Sequence, residues 1–300
     1  MSSAVLPARH ALLALLVVAV WGTNFVVIKA ALDTLPPLLF AALRFALAFL
    51  PAALFVARPA VPWRTLAAYG VLIGAGQFGL LFVAMRSDIT PGLASLVIQT
   101  QVFFTIGLAL VLGRERMKPV QLGALMLAAS GLAVIAWHLD ASVTPLGLGL
   151  TLAAALAWAG GNMVAQRAGK VPILGFMVWS SLFAVPPLLM LSLWLEGPGA
   201  IAQGLSRAGW GTALAVLWQS AGNTLFGYGV WAWLLARYPA ATVSPMALLV
   251  PVFGMGASAV MLSEPLLGWK LAAAALVIGG LALNLLGPRV FRGAARAPTS

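Results

Sequence analysis

The chain has no cysteine among its 300 residues and only two histidines, His10 and His138. The first absence excludes a disulfide framework, a thiolate nucleophile and any cysteine-ligated metal. Both histidines sit near the ends of apolar runs, which leaves little for a zinc site. Charge is scarce as well. Asp, Glu, Lys and Arg make up 8% of the residues, against about 25% in a soluble domain, and only six are acidic. There are no paired carboxylates, no central histidine and no HExxH-type motif to support a reaction at membrane depth. The chain therefore does not read as an enzyme, and no metal or cofactor is expected.

What is present is hydrocarbon. Hydrophobic residues make up 62% of the chain and the mean hydropathy is +1.04. One soluble core of this length cannot hide that excess, so the solvent must be lipid. The net charge of +11 does not point to nucleic acid, because the basic residues are scattered between apolar runs and form no patch. Runs of about 20 apolar residues, the length of a membrane-crossing helix, recur at 11–31, 36–57, 65–85, 91–113, 119–137, 146–167, 172–194, 210–236, 241–262 and 269–287. They are too long and too unpatterned for strands. The first run follows Arg9 and exceeds the apolar core of a signal peptide, about 7–15 residues. It reads as an uncleaved helix. The fold expected is an all-α integral membrane protein of ten transmembrane helices.

Charge placement gives the orientation. With the N-terminus in the cytoplasm, twelve basic residues fall on inner segments, among them Arg58, Arg64, Arg114, Arg116, Lys118, Arg167, Lys170, Arg237 and Arg296. The outer segments hold four: Lys29, Arg86, Arg207 and Lys270. This asymmetry predicts that both termini are cytoplasmic.

The halves repeat. Trp21-Gly22-Thr23-Asn24 is echoed by Trp158-Ala159-Gly160-Gly161-Asn162. At a shift of 149 residues, Glu115 meets Glu264 and Gly131 meets Gly280. Each half holds five runs, an odd number, so the second enters the membrane from the opposite side and the repeat is inverted. The boundaries expected are 1–140 for the first five-helix repeat and 141–300 for the second, which ends in a short basic tail. In that geometry Glu115 lies at the inner surface and Glu264 at the outer one.

These features resemble the drug/metabolite transporter superfamily, EamA type, over nearly the whole chain. The second half carries that family's Pro-Val element, closing Glu and Gly-bearing last helix at Pro251-Val252-Phe253, Leu262-Ser263-Glu264 and Gly279-Gly280. The first half carries Leu112-Gly113-Arg114-Glu115 and Gly131, but has Gln101-Val102-Phe103 where Pro-Val is expected. Trp21-Gly22-Thr23-Asn24 resembles the family's opening motif, and Arg44 matches its second-helix Arg. Within the family the chain is similar to YddG-like exporters of aromatic and other neutral amino acids. The resemblance implies ten helices in two inverted repeats and alternating-access transport.

Several polar and aromatic groups stand out within the runs. Arg44 is the one charge deep inside a span, where it costs at least about 2.5–3.5 kcal/mol. Two readings stay open for it: a contact for a substrate carboxylate, or an Arg satisfied by helix carbonyls or a neighbouring repeat. Trp21 and Asn24 share a helix face, as do Trp158 and Asn162, and inverted symmetry would set both pairs across one cavity. The amides are either cavity lining or glue between helices, and the Trp rings either lining or core. Gln219, Asn223, Gly227 and Trp231 follow one another at i+4, with Tyr228 beside them. This stripe should not face lipid. Its counterpart offers Gln77, Phe78 and Phe82, with Gly70 and Gly74 spaced for close helix packing. Gln99 and Gln101 are two apart, so one is expected at the cavity and the other against a neighbouring helix. Pro251 is either a hinge or the bend of a curved helix. Trp63, Trp137, Trp210 and Trp269 fit an interfacial belt.

No Asp, Glu, Lys or His occupies the centre of any run, so a proton relay of the usual kind is unsupported. The function expected is export of small metabolites, foremost aromatic and neutral amino acids, down their own gradient. Export of other small metabolites or drugs is the alternative, and a non-transporting scaffold the remote one. The bias to Ala and Arg suggests a GC-rich bacterium and hence its inner membrane. The partners expected are a small-molecule substrate and the bilayer, with the chain acting as a monomer.

Overall fold

The computed structural model describes residues 7–112 and 119–294. Glu115 and its neighbours Arg114, Arg116 and Lys118 lie outside the described residues, as does Arg296. In chain order the helices are α1 (Ala8–Leu32), α2 (Pro37–Leu54), α3 (Trp63–Ser87), α4 (Pro91–Val111), α5 (Pro119–Trp137), α6 (Pro145–Ala168), α7 (Ile173–Arg207), α8 (210–237), α9 (Ser244–Leu262) and α10 (Gly268–Ala294). Among the described residues there is no strand, only isolated bridges at Val143. Nine of the helices, all but α8, are long and apolar enough to cross a membrane. α8 is of similar length, but its middle carries the buried Gln219, Ser220, Asn223 and Thr224.

Proline opens four of these helices, at Pro37, Pro91, Pro119 and Pro145. Its missing N–H costs nothing in a first turn. Thr144 caps α6 by accepting from Gly147 N at 3.0 Å. Two segments depart from the sequence reading. The run at 36–57 is not one regular helix. Its regular part ends at Phe49, and a turn at Pro51 leads into a 3₁₀ segment, Ala52–Leu54, because Pro cannot donate to the ladder. The connection after residue 194 is itself helical, Gly197–Arg207. It is set off from the rest of α7 by Gly197 at φ 81°, which a residue with a Cβ rarely adopts. Just before it, the Glu196 carboxylate accepts from Leu38 N at 2.7 Å and Leu39 N at 3.2 Å. It thereby caps the N-terminus of α2.

The packing partners are reciprocal. α1 lies against α9 and α8, and α6 against α4 and α3; α3 packs on α7, and α8 on α2. α2 meets α7, α4 meets α9, and α5 meets α10. In the α5–α10 contact, a Cβ on Gly131 would stand 3.0 Å from Ala273 O, and one on Gly280 would stand 2.7 Å from Ala124 O. Each contact is the other displaced by 149 residues, the signature of a self-complementary interface. Without a hydrophobic drive between helices in lipid, small residues that let backbones approach do the packing. Gly70 and Gly74 serve this purpose against Ser180 and Ala184 of α7.

Candidate functional site

Besides α2 with its 3₁₀ end and α7 with a π segment at Ser192–Glu196, four helices lose regular α geometry at matching places. α3 widens to π-helix over Leu72–Gly79 and α8 over Trp218–Phe226. α4 tightens to 3₁₀ over Ile98–Thr100, and α9 begins as 3₁₀ over Ser244–Leu249. Such departures free backbone groups that something else must satisfy. In α8 the carbonyl of Gln219 accepts from Thr224 Oγ1 at 2.9 Å, and that of Asn223 accepts from Trp21 Nε1 at 3.2 Å. Gly227 clears the space for the Trp21 ring, since a Cβ there would meet the indole.

These irregular segments surround a cavity of about 330 Å³. α1 contributes Trp21 and Asn24, and α6 contributes Trp158 and Asn162. From α3 come Gln77 and Phe78, from α4 Gln99 and Gln101, and from α8 Asn223, Tyr228 and Trp231. One chamber thus gathers both Trp–Asn pairs and part of each stripe. The rings of Tyr228 and Trp231 lie 5.4 and 5.2 Å from that of Trp21. Among the described residues that line the cavity none is charged.

Three residues expected in the wall stand behind it. Gln219 is fully buried and exchanges hydrogen bonds with Asn24: Gln219 Nε2 donates to Asn24 Oδ1 at 2.7 Å, and Asn24 Nδ2 to Gln219 Oε1 at 3.4 Å. The pairing turns Gln219 into the α1–α8 contact. Phe82 is fully buried, with its ring 5.0 Å from Phe40 and 5.8 Å from Phe78. Arg44 lies over the ring of Phe78, 3.8 Å from its centroid, and Phe45 is also within reach at 4.9 Å. Its Nη2 donates to Thr224 Oγ1 at 2.9 Å. Its Nε and Nη1 find no partner among the described residues. A buried guanidinium held by one hydroxyl and two rings keeps most of its charge uncompensated.

Gln99 and Gln101 both reach the cavity, contrary to the expectation that they diverge. The 3₁₀ segment turns about 120° per residue instead of about 100°, which brings two residues of i+2 spacing nearer one face. Pro251 opens the regular part of α9 where the 3₁₀ segment ends. Sequence reasoning missed Tyr69, Phe25, Ile28 and Leu81 as lining residues. Tyr69 stands two i+4 steps before Gln77, so a helical projection through Gln77 would have found it.

The ends of the spans on the side of Glu196 hold a second polar cluster. Glu264 is buried, paired to Lys270 Nζ at 3.0 Å, and bonded by Thr90 Oγ1 at 2.5 Å, Gly92 N at 3.1 Å and the Ser258 hydroxyl. Burial works to raise its pKa, but the hydrogen bonds from Ser258, Thr90 and Lys270, with the Lys270 charge, outweigh it and hold the carboxyl below its ordinary range. It joins the α9–α10 turn to the start of α4. Ser263, in the left-handed region at φ 54°, makes that turn.

The sequence profile of the EamA-like transporter family matches residues 8–137 and 145–286. The chain is 44% identical over 293 residues to a protein of Salmonella typhimurium named "Probable amino-acid metabolite efflux pump", covering 95% of this chain and 97% of that protein. A protein of the same name from Escherichia coli strain K12 is 41% identical over 287 residues, covering 94% and 96%. One solved crystal structure superposes with a TM-score of 0.60 at 20% identity, covering 95% of this chain and 99% of its own. At that identity the likeness concerns the fold alone.

Proposed function

The chain belongs to the EamA-like transporter family, and from that premise we propose that it exports amino acids and related neutral metabolites across a bacterial inner membrane. The observation that carries this reading is the uncharged chamber between irregular helix segments, with amides and indoles from α1 and α6 facing it. Asn24, Gln77, Gln99, Gln101, Asn162 and Asn223 offer donors and acceptors without net charge. The rings of Trp21, Trp158, Tyr228 and Phe78 suit an apolar or aromatic side chain. Such a wall matches a zwitterion better than an organic cation. The two relatives named as amino-acid metabolite efflux pumps support the same substrate class.

In this reading all ten helices cross the membrane, α8 included, since the amides that lower its hydropathy face protein or the chamber and not lipid. Both termini are cytoplasmic, as the basic residues require. Residues 1–140 and 141–300 form the inverted repeats. The 149-residue relation in the α5–α10 contact and the matching irregularities of α3 with α8 and α4 with α9 support that symmetry. Transport proceeds as one repeat rocks against the other around the fixed site, with Pro251 where the 3₁₀ segment of α9 gives way to α-helix. With no carboxylate among the described residues of the chamber wall, the solute's own gradient drives it.

The test is uptake of radiolabelled amino acids into proteoliposomes. Saturable uptake that survives collapse of the proton gradient, and falls at least roughly tenfold in Trp158→Ala and Asn162→Ala, is the expected result. Equal fluxes into protein-free and protein-containing vesicles would sink the proposal.

A further inference from the structure

A second cavity of about 330 Å³ lies between α4 and α6. Thr105, Ile106 and Ala109 of α4 and Gln166 of α6 line it, so it extends toward the C-terminal ends of both helices. The two residues it shares with the central chamber are Gln101 and Asn162. The same two side chains are bonded to each other. Asn162 Nδ2 donates to Gln101 Oε1 at 2.9 Å and to Thr105 Oγ1 at 3.2 Å, and Thr105 Oγ1 donates back to the Gln101 carbonyl at 2.7 Å. Among the described residues, the Gln101 amide nitrogen and the Asn162 amide oxygen make no hydrogen bond. Both side chains are partly exposed. One donor group and one acceptor therefore stay open at the partition.

The reciprocal helix pair, α1 with α9, meets differently. A Cβ on Gly22 would lie 2.6 Å from Val250 O and 2.9 Å from Gly254 N. Val250 and Gly254 stand 149 residues after Gln101 and Thr105. One molecule thus shows two arrangements of an equivalent contact. At α1–α9 the backbones touch. At α4–α6 the contact includes a side-chain bridge, from Asn162 to Gln101 and Thr105.

We propose that Gln101, Asn162 and Thr105 form a latch between the central chamber and a second, staging cavity. It passes small uncharged or zwitterionic solutes that carry both a donor and an acceptor. Such a solute replaces the Asn162–Gln101 bond with bonds of its own, so neither amide is left bare during passage. A solute with only one kind of group leaves an amide of the broken latch without a partner and passes at least roughly tenfold more slowly. Naming the solute rests on the transport reading above; the latch itself does not.

The absence of native cysteine makes single-cysteine probes clean. Ile106→Cys reports on the staging cavity and Ile28→Cys on the central chamber. A hydrophilic maleimide is applied from the face to which the staging cavity points. Ile106→Cys should react at the same rate with and without Asn162→Ala. Ile28→Cys should react at least roughly fivefold faster when the latch is removed by Asn162→Ala, and Gln101→Ala should reproduce that gain. Ile106→Trp, which fills the staging cavity and leaves the central wall intact, should cut exchange of L-phenylalanine at least roughly tenfold with little change in its affinity. Unchanged Ile28→Cys reactivity in both alanine backgrounds, or full exchange in Ile106→Trp, would overturn the latch. If the labelling pattern holds while the unsubstituted protein exchanges no amino acid, the latch stands and the choice of solute fails.

Discussion

A buried amide in an apolar span is stable only when its partner comes with it, and Asn24 shows why. It and Gln219 bond each other across 195 positions of sequence, Asn24 at the chamber wall and Gln219 fully buried behind it. Asn24→Leu should therefore lower stability by about 1–3 kcal/mol, most of it from the stranded Gln219 amide, while Asn24→Leu with Gln219→Leu should recover much of the loss. Thermal unfolding of the three variants in detergent checks this, and equal losses in single and double variants would contradict it. Arg44 follows a related logic beside Phe78. Two of its nitrogens are open among the described residues, and the ring it covers, Phe78, is part of the chamber wall. Arg44→Gln should weaken the affinity for zwitterionic amino acids by roughly tenfold and leave that for their uncharged amides within a few-fold. Competition binding distinguishes the two; parallel losses for acid and amide would remove Arg44 from substrate recognition.

At the scale of helices, the ends facing Glu196 and Glu264 are tied by carboxylates that cap neighbours: Glu196 holds the start of α2, and Glu264 the start of α4. The Glu264 carboxyl is held below its ordinary value of 4.5, so the native state prefers its charged form. Its contribution to stability is complete above about pH 4.5 and is lost as pH falls through the lower native value. The unfolding temperature of the unsubstituted protein should exceed that of Glu264→Gln near neutrality, and the gap should close below that pH. A gap independent of pH would show that the carboxylate's charge is not what matters. α1 and α9 meet through glycine instead. Gly22→Leu cannot be accommodated against Val250 O and Gly254 N without parting the helices. It should abolish uptake even if the protein still inserts, as fractionation and uptake measured together will show.

For the whole molecule, the proposed topology puts both chain ends on one side. Reporters fused at either terminus should read as cytoplasmic; one on each side would break the inverted repeat. Much of this scale was legible in advance. Nine of the ten runs expected from the sequence recur as helices long and apolar enough to cross a membrane, because run length and the cost of bare backbone in lipid leave no other form. The irregular parts were not legible. The π and 3₁₀ segments of α3, α8 and α4 follow from packing against neighbours, and no local pattern announced them. Hence Gln101 came to share a wall with Gln99, and Gln219 was drawn out of the wall by Asn24.

Composition and run length by themselves determined that this is a helical membrane protein with little charge in its interior, since the bilayer acts on every residue alike. They also picked out most of the polar and aromatic groups of the chamber, because an amide or indole in a long apolar run must be turned from lipid. Only the tertiary structure decided which of those groups face the open space, which consume one another, and which carboxylates bind the helix ends together. Hydrogen bonds between residues far apart in the chain settle those matters, and their geometry depends on how the helices cross, which no single helix encodes.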